Sequence, residues 1–348
     1  MHAVVFREPG GPEVLRYEEV ARPDPGPGDV LVEVRALTIN PGPDGMPRMP
    51  GFGPPGFQYP HVTGSDPAGV VVAVGADVEG VAVGDRVVVY PILRCGTCDL
   101  CERGVPANYC RRFRIVGVHI WGGRADYVAV PQDAVVPVPD DVTFEAAAAL
   151  AVSYNTTWHG MVDRARLTAD DTLLVVGAGG GCGVAAVQLA KHVGARVVAL
   201  TGSPDKAERL GALGADLVLS YRDEDWVDQV RRATGHGASV AFDNAGQATW
   251  AKTVAALDRG GRMFCSGTTT GPRLELNGRD LYREQISLLF NVQGTYDNLA
   301  HLLELTAAGA LRPLVDHRFA LSDIGEAEAL LAAGTQTGKV ALVPDRFL

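Results

Sequence analysis

The chain has 348 residues, 47% of them hydrophobic and 21% charged, enough to bury a sizeable core and long enough for two domains rather than one. Asp and Glu outnumber Lys and Arg by 41 to 31, for a net charge of −10 with no basic run, which excludes nucleic acid as an expected partner. Residues 1–7 lack the basic flank and apolar length of a secretory leader, and the longest uncharged stretch, 172–190, is broken by glycines, so the expectation is a cytoplasmic protein with no membrane partner.

Short β-type runs at 29–36, 68–74, 85–90 and 126–130, punctuated by Pro, Gly and Asp, predict a compact antiparallel barrel. Between the first two lies 41–60, rich in Pro and Gly and carrying Met46, Met49, Phe52, Phe57 and Tyr59. It reads as one ordered loop, either a surface excursion pinned by its aromatics or the wall of a substrate pocket.

Four of the six cysteines then fall close together: Cys95, Cys98, Cys101 and Cys110. Closely spaced Cys-x-x-Cys units bring thiolates to one tetrahedral centre, and four sulfurs saturate zinc without leaving a position for water. One structural zinc is therefore expected in a lobe spanning about 94–111. Disulfides compete poorly in a cytoplasmic chain, and an iron–sulfur cluster is the remaining alternative. Cys182 and Cys265 read as small packing residues rather than reactive thiols.

From about residue 152 the pattern turns to alternating β and α segments. Strands at 172–176, 196–200, 217–219, 239–242, 262–266 and 286–292, with helices around 183–193, 204–213, 223–233, 247–257 and 296–308, predict a parallel, doubly wound sheet. The tail, 311–348, returns to short Pro- and Gly-punctuated β-type segments and is expected to rejoin the barrel. On this reading 1–152 and 297–348 form one domain, and 153–296 is inserted between them as the other.

The first strand of the second domain ends in Gly177-Ala178-Gly179-Gly180-Gly181-Cys182-Gly183. Around Cys182, the bare backbone of Gly180, Gly181 and Gly183 would let a pyrophosphate reach the free N–H groups of a helix N-terminus. The second strand ends without the acidic residue that usually holds the ribose hydroxyls. Thr201-Gly202-Ser203 follows it, with Lys206 nearby and Tyr221-Arg222 after the next strand. Donors and positive charge suit a 2′-phosphate, so Ser203, Lys206, Tyr221 and Arg222 are the candidate contacts for NADPH; Lys206 and Arg222 could equally be solvated surface charges.

Gly10-Gly11-Pro12-Glu13-Val14-Leu15, Asn40-Pro41, Gly64-Ser65-Asp66-Pro67-Ala68-Gly69, Gly84-Asp85-Arg86-Val87, the cysteine lobe, the glycine turn and Gly338-Lys339-Val340 run the length of the chain. Through them it resembles the medium-chain dehydrogenase/reductase superfamily, in particular its quinone oxidoreductase-like, zinc-binding branch. The resemblance implies an α/β protein made of a GroES-like β-barrel catalytic domain plus a Rossmann nucleotide domain, with a cleft between them. It further implies hydride transfer from a nicotinamide and a homodimer or tetramer, the last Rossmann strand pairing across a twofold axis in such dimers. Thr156 then matches the threonine at the nicotinamide side of the cofactor, unless its hydroxyl is spent on its own helix backbone, and Ser266-Gly267-Thr268 matches the loop beneath the ring.

Zinc alcohol dehydrogenases of the superfamily carry a Cys in the stretch that reads Ile39-Asn40-Pro41-Gly42 here, and a His-Glu pair where this chain has Ser65-Asp66. The catalytic metal site is thus expected to be dismantled, with His61 and Asp44 as nearby residues that do not ligate. The expected activity is NADPH-dependent reduction of a small molecule bearing an activated double bond or quinone. Asn40 is the candidate donor to the developing oxyanion and Tyr59 the candidate proton donor. An alcohol or aldehyde dehydrogenase or carbonyl reductase, and a non-catalytic NADPH-binding partner protein, are the alternatives.

Overall fold

The computed structural model describes residues 1–52 and 57–348. The chain divides into two compact units, Met1–Val152 with Thr295–Leu348, and Ser153–Gly294. Among the described residues no helix is long and apolar enough to cross a membrane.

The first unit is built on a seven-stranded sheet whose central strand, Asp29–Thr38, pairs antiparallel with Ala68–Val74, Tyr127–Pro131 and Lys339–Val343. Alternation along these strands turns Val30, Val32 and Val34 into one core with Val71, Val128, Val130, Val340 and Leu342. The tail contributes two strands, Val315–Ala320 and Lys339–Val343, but between them lies a helix, Ile324–Ala333, that the β-type reading of 311–348 missed. Punctuation by glycine masked its helical period.

The 41–60 segment is also more regular than a loop at its start. Pro41–Gly45 is a helical turn and Met46–Arg48 a 3₁₀ turn. Pro41 stands at the first helical position, where a missing N–H costs nothing, and Asp44 closes the turn by accepting from the Asn40 N–H at 2.8 Å. Residues 53–56 of that segment lie outside the described residues.

The second unit is a six-stranded parallel sheet in the order Leu217–Ser220, Arg196–Thr201, Thr172–Val176, Ala238–Asp243, Leu257–Cys265, Ser287–Phe290. Leu173 to Val176 are buried in succession rather than alternately, as a strand covered on both faces requires. The strand order reverses at Thr172–Val176, and the glycine turn sits at the carboxyl end of that strand, where doubly wound sheets bind ligands. The fifth strand begins at Leu257, earlier than the expected 262, because a register shift lets Leu257 pair with Ala238 and Arg262 with Val240.

Candidate active site and metal centre

The helix Gly181–Val193 opens directly from the glycine turn, with Gly180 as its N-cap. A Cβ at Gly183 would collide with the Gly177 carbonyl oxygen and Ala178, so this glycine serves close packing of helix against turn. At Gly180 a Cβ would meet only the Gly177 oxygen, at 3.6 Å, which leaves the backbone approachable. Bare backbone and unpaired helix N–H groups together fit a pyrophosphate.

The four candidate 2′-phosphate contacts follow the second and third strands of the sheet, Ser203 and Lys206 after one and Tyr221 and Arg222 after the other. Ser203 is the N-cap of the helix Pro204–Ala212, yet its hydroxyl makes no capping bond. The Lys206 stem crosses the glycine turn so closely that a Cβ at Gly179 would lie 2.7 Å from its Cδ. Tyr221 folds its phenol over Gly202, occupying the place of the absent Cβ. Arg222 is exposed, its backbone N–H donating to Ser220 Oγ at 3.1 Å. Cys182 is partly exposed within the turn, and burial pushes the Cys265 thiol up to about 11, so the latter is inert at neutral pH.

Thr156 and Ser266, which came into view through resemblance alone, are drawn into one polar cluster. The Thr156 hydroxyl bonds Gln293 Oε1 rather than its own helix, and Asn291 joins the Thr156 carbonyl to the Ser266 hydroxyl. Ser266 N–H donates to Asn244 Oδ1 at 2.7 Å, Gly267 O accepts from Cys265 Sγ at 3.0 Å, and Thr268 O accepts from Gly271 N–H at 3.0 Å. Asn244, Asn291 and Gln293 were not among the site residues named from sequence. Isolated amides in turns carry no spacing signal.

In the barrel unit, Asn40 is 4% exposed and wholly engaged. Its Nδ2 donates to Asp66 Oδ2 at 2.7 Å and to the Thr38 carbonyl at 3.3 Å, while its Oδ1 accepts from Lys339 Nζ at 2.7 Å. Asp66 also accepts from Thr38 N–H at 2.8 Å and from the Thr38 hydroxyl, and burial pushes its carboxyl up to about 6 against the pull of Lys339. Asp44 accepts from Gly64 N–H and from Arg124, a fully buried guanidinium that also reaches Glu328 at 2.8 Å. His61 donates through Nε2 to the Gly117 carbonyl at 3.2 Å, and burial drives its pKa down to about 4.

Asn40 therefore has no amide hydrogen left for a substrate oxygen, because both are given to Thr38 and Asp66. Tyr59 is 39% exposed, with its ring set edge-on to Phe6 and Phe57. Trp121 steadies the same stretch through its indole N–H to the Pro60 carbonyl at 3.0 Å.

The four clustered cysteines converge. Their sulfurs all lie within 4.8 Å of one another, and Cys98 to Cys101, Cys98 to Cys110 and Cys95 to Cys101 are 3.5, 3.9 and 3.9 Å apart. A tetrahedron with zinc–sulfur bonds of about 2.3 Å has sulfur–sulfur edges of roughly 3.8 Å, so the cluster matches zinc in size as well as in ligand type. The Thr97 N–H pulls the Cys95 thiol down to about 5, whereas burial pushes Cys101 up to about 11. Four thiolates this close repel one another unless a cation lies among them. Among the described residues this is the one group of three or more His, Cys, Asp or Glu side chains arranged to hold a metal ion.

Residues 26–140 match the alcohol dehydrogenase GroES-like domain family and 181–308 the zinc-binding dehydrogenase family. The chain is 31% identical to a tomato (Solanum lycopersicum) 2-methylene-furan-3-one reductase over 99% of its own length and 79% of the relative's. It is likewise 31% identical to a Salmonella typhimurium quinone oxidoreductase, over 98% and 99% of the two chains. A crystal structure of an NAD-dependent alcohol dehydrogenase superimposes with a TM-score of 0.92 at 39% identity, covering 99% of each chain. The chain belongs to the medium-chain dehydrogenase/reductase superfamily, with a GroES-like domain and a Rossmann nucleotide domain. It is an oxidoreductase of that superfamily.

Proposed function

We propose that the chain is an NADPH-dependent reductase of activated double bonds or quinones that works without a catalytic metal. The observation that carries this reading is the barrel cluster around Asn40. By the resemblance to zinc alcohol dehydrogenases, the stretch containing Asn40 and the Ser65-Asp66 pair stand where those enzymes carry a Cys and a His-Glu pair, and here both Asp66 oxygens already accept hydrogen bonds. This donor set does not fit zinc. In this superfamily's alcohol dehydrogenases a metal normally carries the charge that grows on a ketone oxygen, whereas a conjugated acceptor spreads that charge and is served by hydrogen-bond donors. Similarity to a 2-methylene-furan-3-one reductase and a quinone oxidoreductase supports the same reading.

When bound, the reduced nicotinamide supplies a hydride. The chain's own residues would hold the dinucleotide phosphates at the N-terminus of Gly181–Val193, keep Ser203, Lys206, Tyr221 and Arg222 for the 2′-phosphate, and fix the ring with Thr156 and Ser266. Tyr59 gives the proton that completes the two-electron reduction. Asn40 holds the barrel cluster together rather than touching substrate. The Cys95, Cys98, Cys101 and Cys110 set would hold one zinc and support its lobe. We take the assembly to be a homodimer formed through the edge strand Ser287–Phe290, where Phe290 and Val292 are 46% and 56% exposed.

A carbonyl reductase or alcohol dehydrogenase is the second reading, favoured by the 39% identity to the alcohol dehydrogenase. NADPH oxidation measured against quinones, enones and simple ketones separates the two. Turnover of quinones or enones, slowed in Tyr59→Phe, supports the proposal; turnover confined to simple ketones overturns it.

A further inference from the structure

We infer that Asn291 is a positioning residue for the nicotinamide ring, acting through Thr156; this rests on the reading that the glycine turn holds a nicotinamide dinucleotide. The Asn291 amide offers one acceptor and two donor hydrogens. Its Nδ2 donates to the Thr156 carbonyl at 3.0 Å, its Oδ1 accepts from the Ser266 hydroxyl at 2.9 Å, and its backbone N–H donates to the Cys265 carbonyl at 3.2 Å. One planar group thus ties the turn of helix Asn155–Trp158 to the loop that leaves strand Leu257–Cys265.

The surroundings are shaped for that tie. A Cβ at Gly160 would lie 2.7 Å from Asn291 Oδ1 and 2.6 Å from Phe264 Cδ2, so the glycine opens the space the amide occupies. Two residues on, Gln293 is 3% exposed and takes the Thr156 hydroxyl hydrogen on Oε1, which also accepts from Gly294 N–H at 3.2 Å. With its hydrogen committed to Gln293, the Thr156 oxygen presents lone pairs alone. It is then an acceptor for an N–H donor, such as the carboxamide of a nicotinamide. Asn291 sets where that acceptor sits and Gln293 sets its polarity.

Two consequences separate this role from simple support of the fold. The residues that would hold the phosphates and the adenosine end stand on other elements, the glycine turn and the end of the second strand, so loss of Asn291 should leave affinity nearly intact while the ring loses its alignment. A misplacement of about 1 Å at the reacting atoms costs roughly 100-fold in rate. The effect should also depend on Thr156.

The test compares Asn291→Ala in the wild-type and Thr156→Ala backgrounds of the full chain, by NADPH titration, bound-NADPH fluorescence and turnover with the best acceptor from the screen above. Expected are an NADPH Kd within about threefold of wild type, altered emission of the bound reduced ring, and turnover down about 10- to 100-fold, against about threefold or less in the Thr156→Ala background. Should Asn291→Ala not fold, Asn291→Asp carries the same comparison, since it keeps the acceptor for Ser266 and lacks the donor for Thr156. Equal losses in both backgrounds, unchanged turnover, or affinity falling in step with rate would overturn the inference alone. A wild-type chain that binds neither NADPH nor NADH would overturn the cofactor reading and this inference with it.

Discussion

Lys339 Nζ lies 2.7 Å from Asn40 Oδ1, a contact between residues 299 positions apart that seats a buried ammonium against the end of the barrel's central strand. The same asparagine turns its Nδ2 to Asp66. Its amide is thus oriented by charge on both sides, oxygen toward the cation and nitrogen toward the carboxylate.

Replacing Asn40 by Ala should therefore act on stability first. Lys339 and Asp66 would each lose a buried partner, a loss worth about 1–3 kcal/mol. Thermal denaturation should show a lower Tm for Asn40→Ala with NADPH affinity unchanged. A variant of wild-type stability with depressed turnover would instead make Asn40 a donor to the substrate.

Cofactor choice should follow the second strand of the nucleotide sheet. NADPH is expected to bind more tightly than NADH, and Lys206→Ala with Arg222→Ala should narrow the gap, since a charge-assisted phosphate contact contributes about 1.5–3 kcal/mol. Titration of both cofactors against wild type and the double variant checks this. Tighter NADH binding by the wild type would reverse the assignment.

Protein purified under reducing conditions should carry one zinc per chain. Its removal by a chelator, or Cys98→Ser, should lower the Tm, because a metal that binds the folded lobe alone adds its binding free energy to folding. Metal analysis and calorimetry of the same samples read both effects. Zinc-free protein of unaltered stability would contradict the assignment.

His61 gives the acid side of the stability profile a definite sign. Burial lowers its pKa from the ordinary 6.5 to about 4, so the folded chain holds this proton less tightly than the unfolded chain. Its contribution is present above about pH 6.5 and is lost as pH falls through about 4. Denaturant titrations across that window should show a shallower decline in His61→Gln, which keeps a donor for the Gly117 carbonyl and does not titrate.

Local pattern made part of this molecule readable. The run Leu173-Leu174-Val175-Val176 entering glycines marks a covered strand and a glycine turn opening a helix, and the Cys-x-x-Cys spacing marks a cluster of four thiols, because in both cases neighbours in sequence make the feature. What stayed hidden depends on distant partners. Asn40 read as a free donor because nothing near it in sequence announces Lys339, and Arg124 reveals nothing of its tie to Glu328, 204 residues on. Asn291 drew no individual role likewise, since its hydrogen bonds run to Thr156 and Ser266, which other elements deliver.

The strand Lys339–Val343 sets an order on synthesis. It pairs Leu342 with Leu37 and Ala341 with Thr38, and all five of its residues are buried. On the ribosome, the central strand of the first unit emerges early and must wait through the whole of the nucleotide unit before its neighbour is translated. Until then the end of that strand at Leu37 and Thr38 lacks its partner, while the rest is already paired with Ala68–Val74 and Tyr127–Pro131, so prompt folding of the inserted domain shortens the time this short edge stands open to another chain. A stop codon just before Lys339 would leave a complete nucleotide sheet joined to a barrel with an unsealed side, a product expected to aggregate rather than to act as a smaller enzyme.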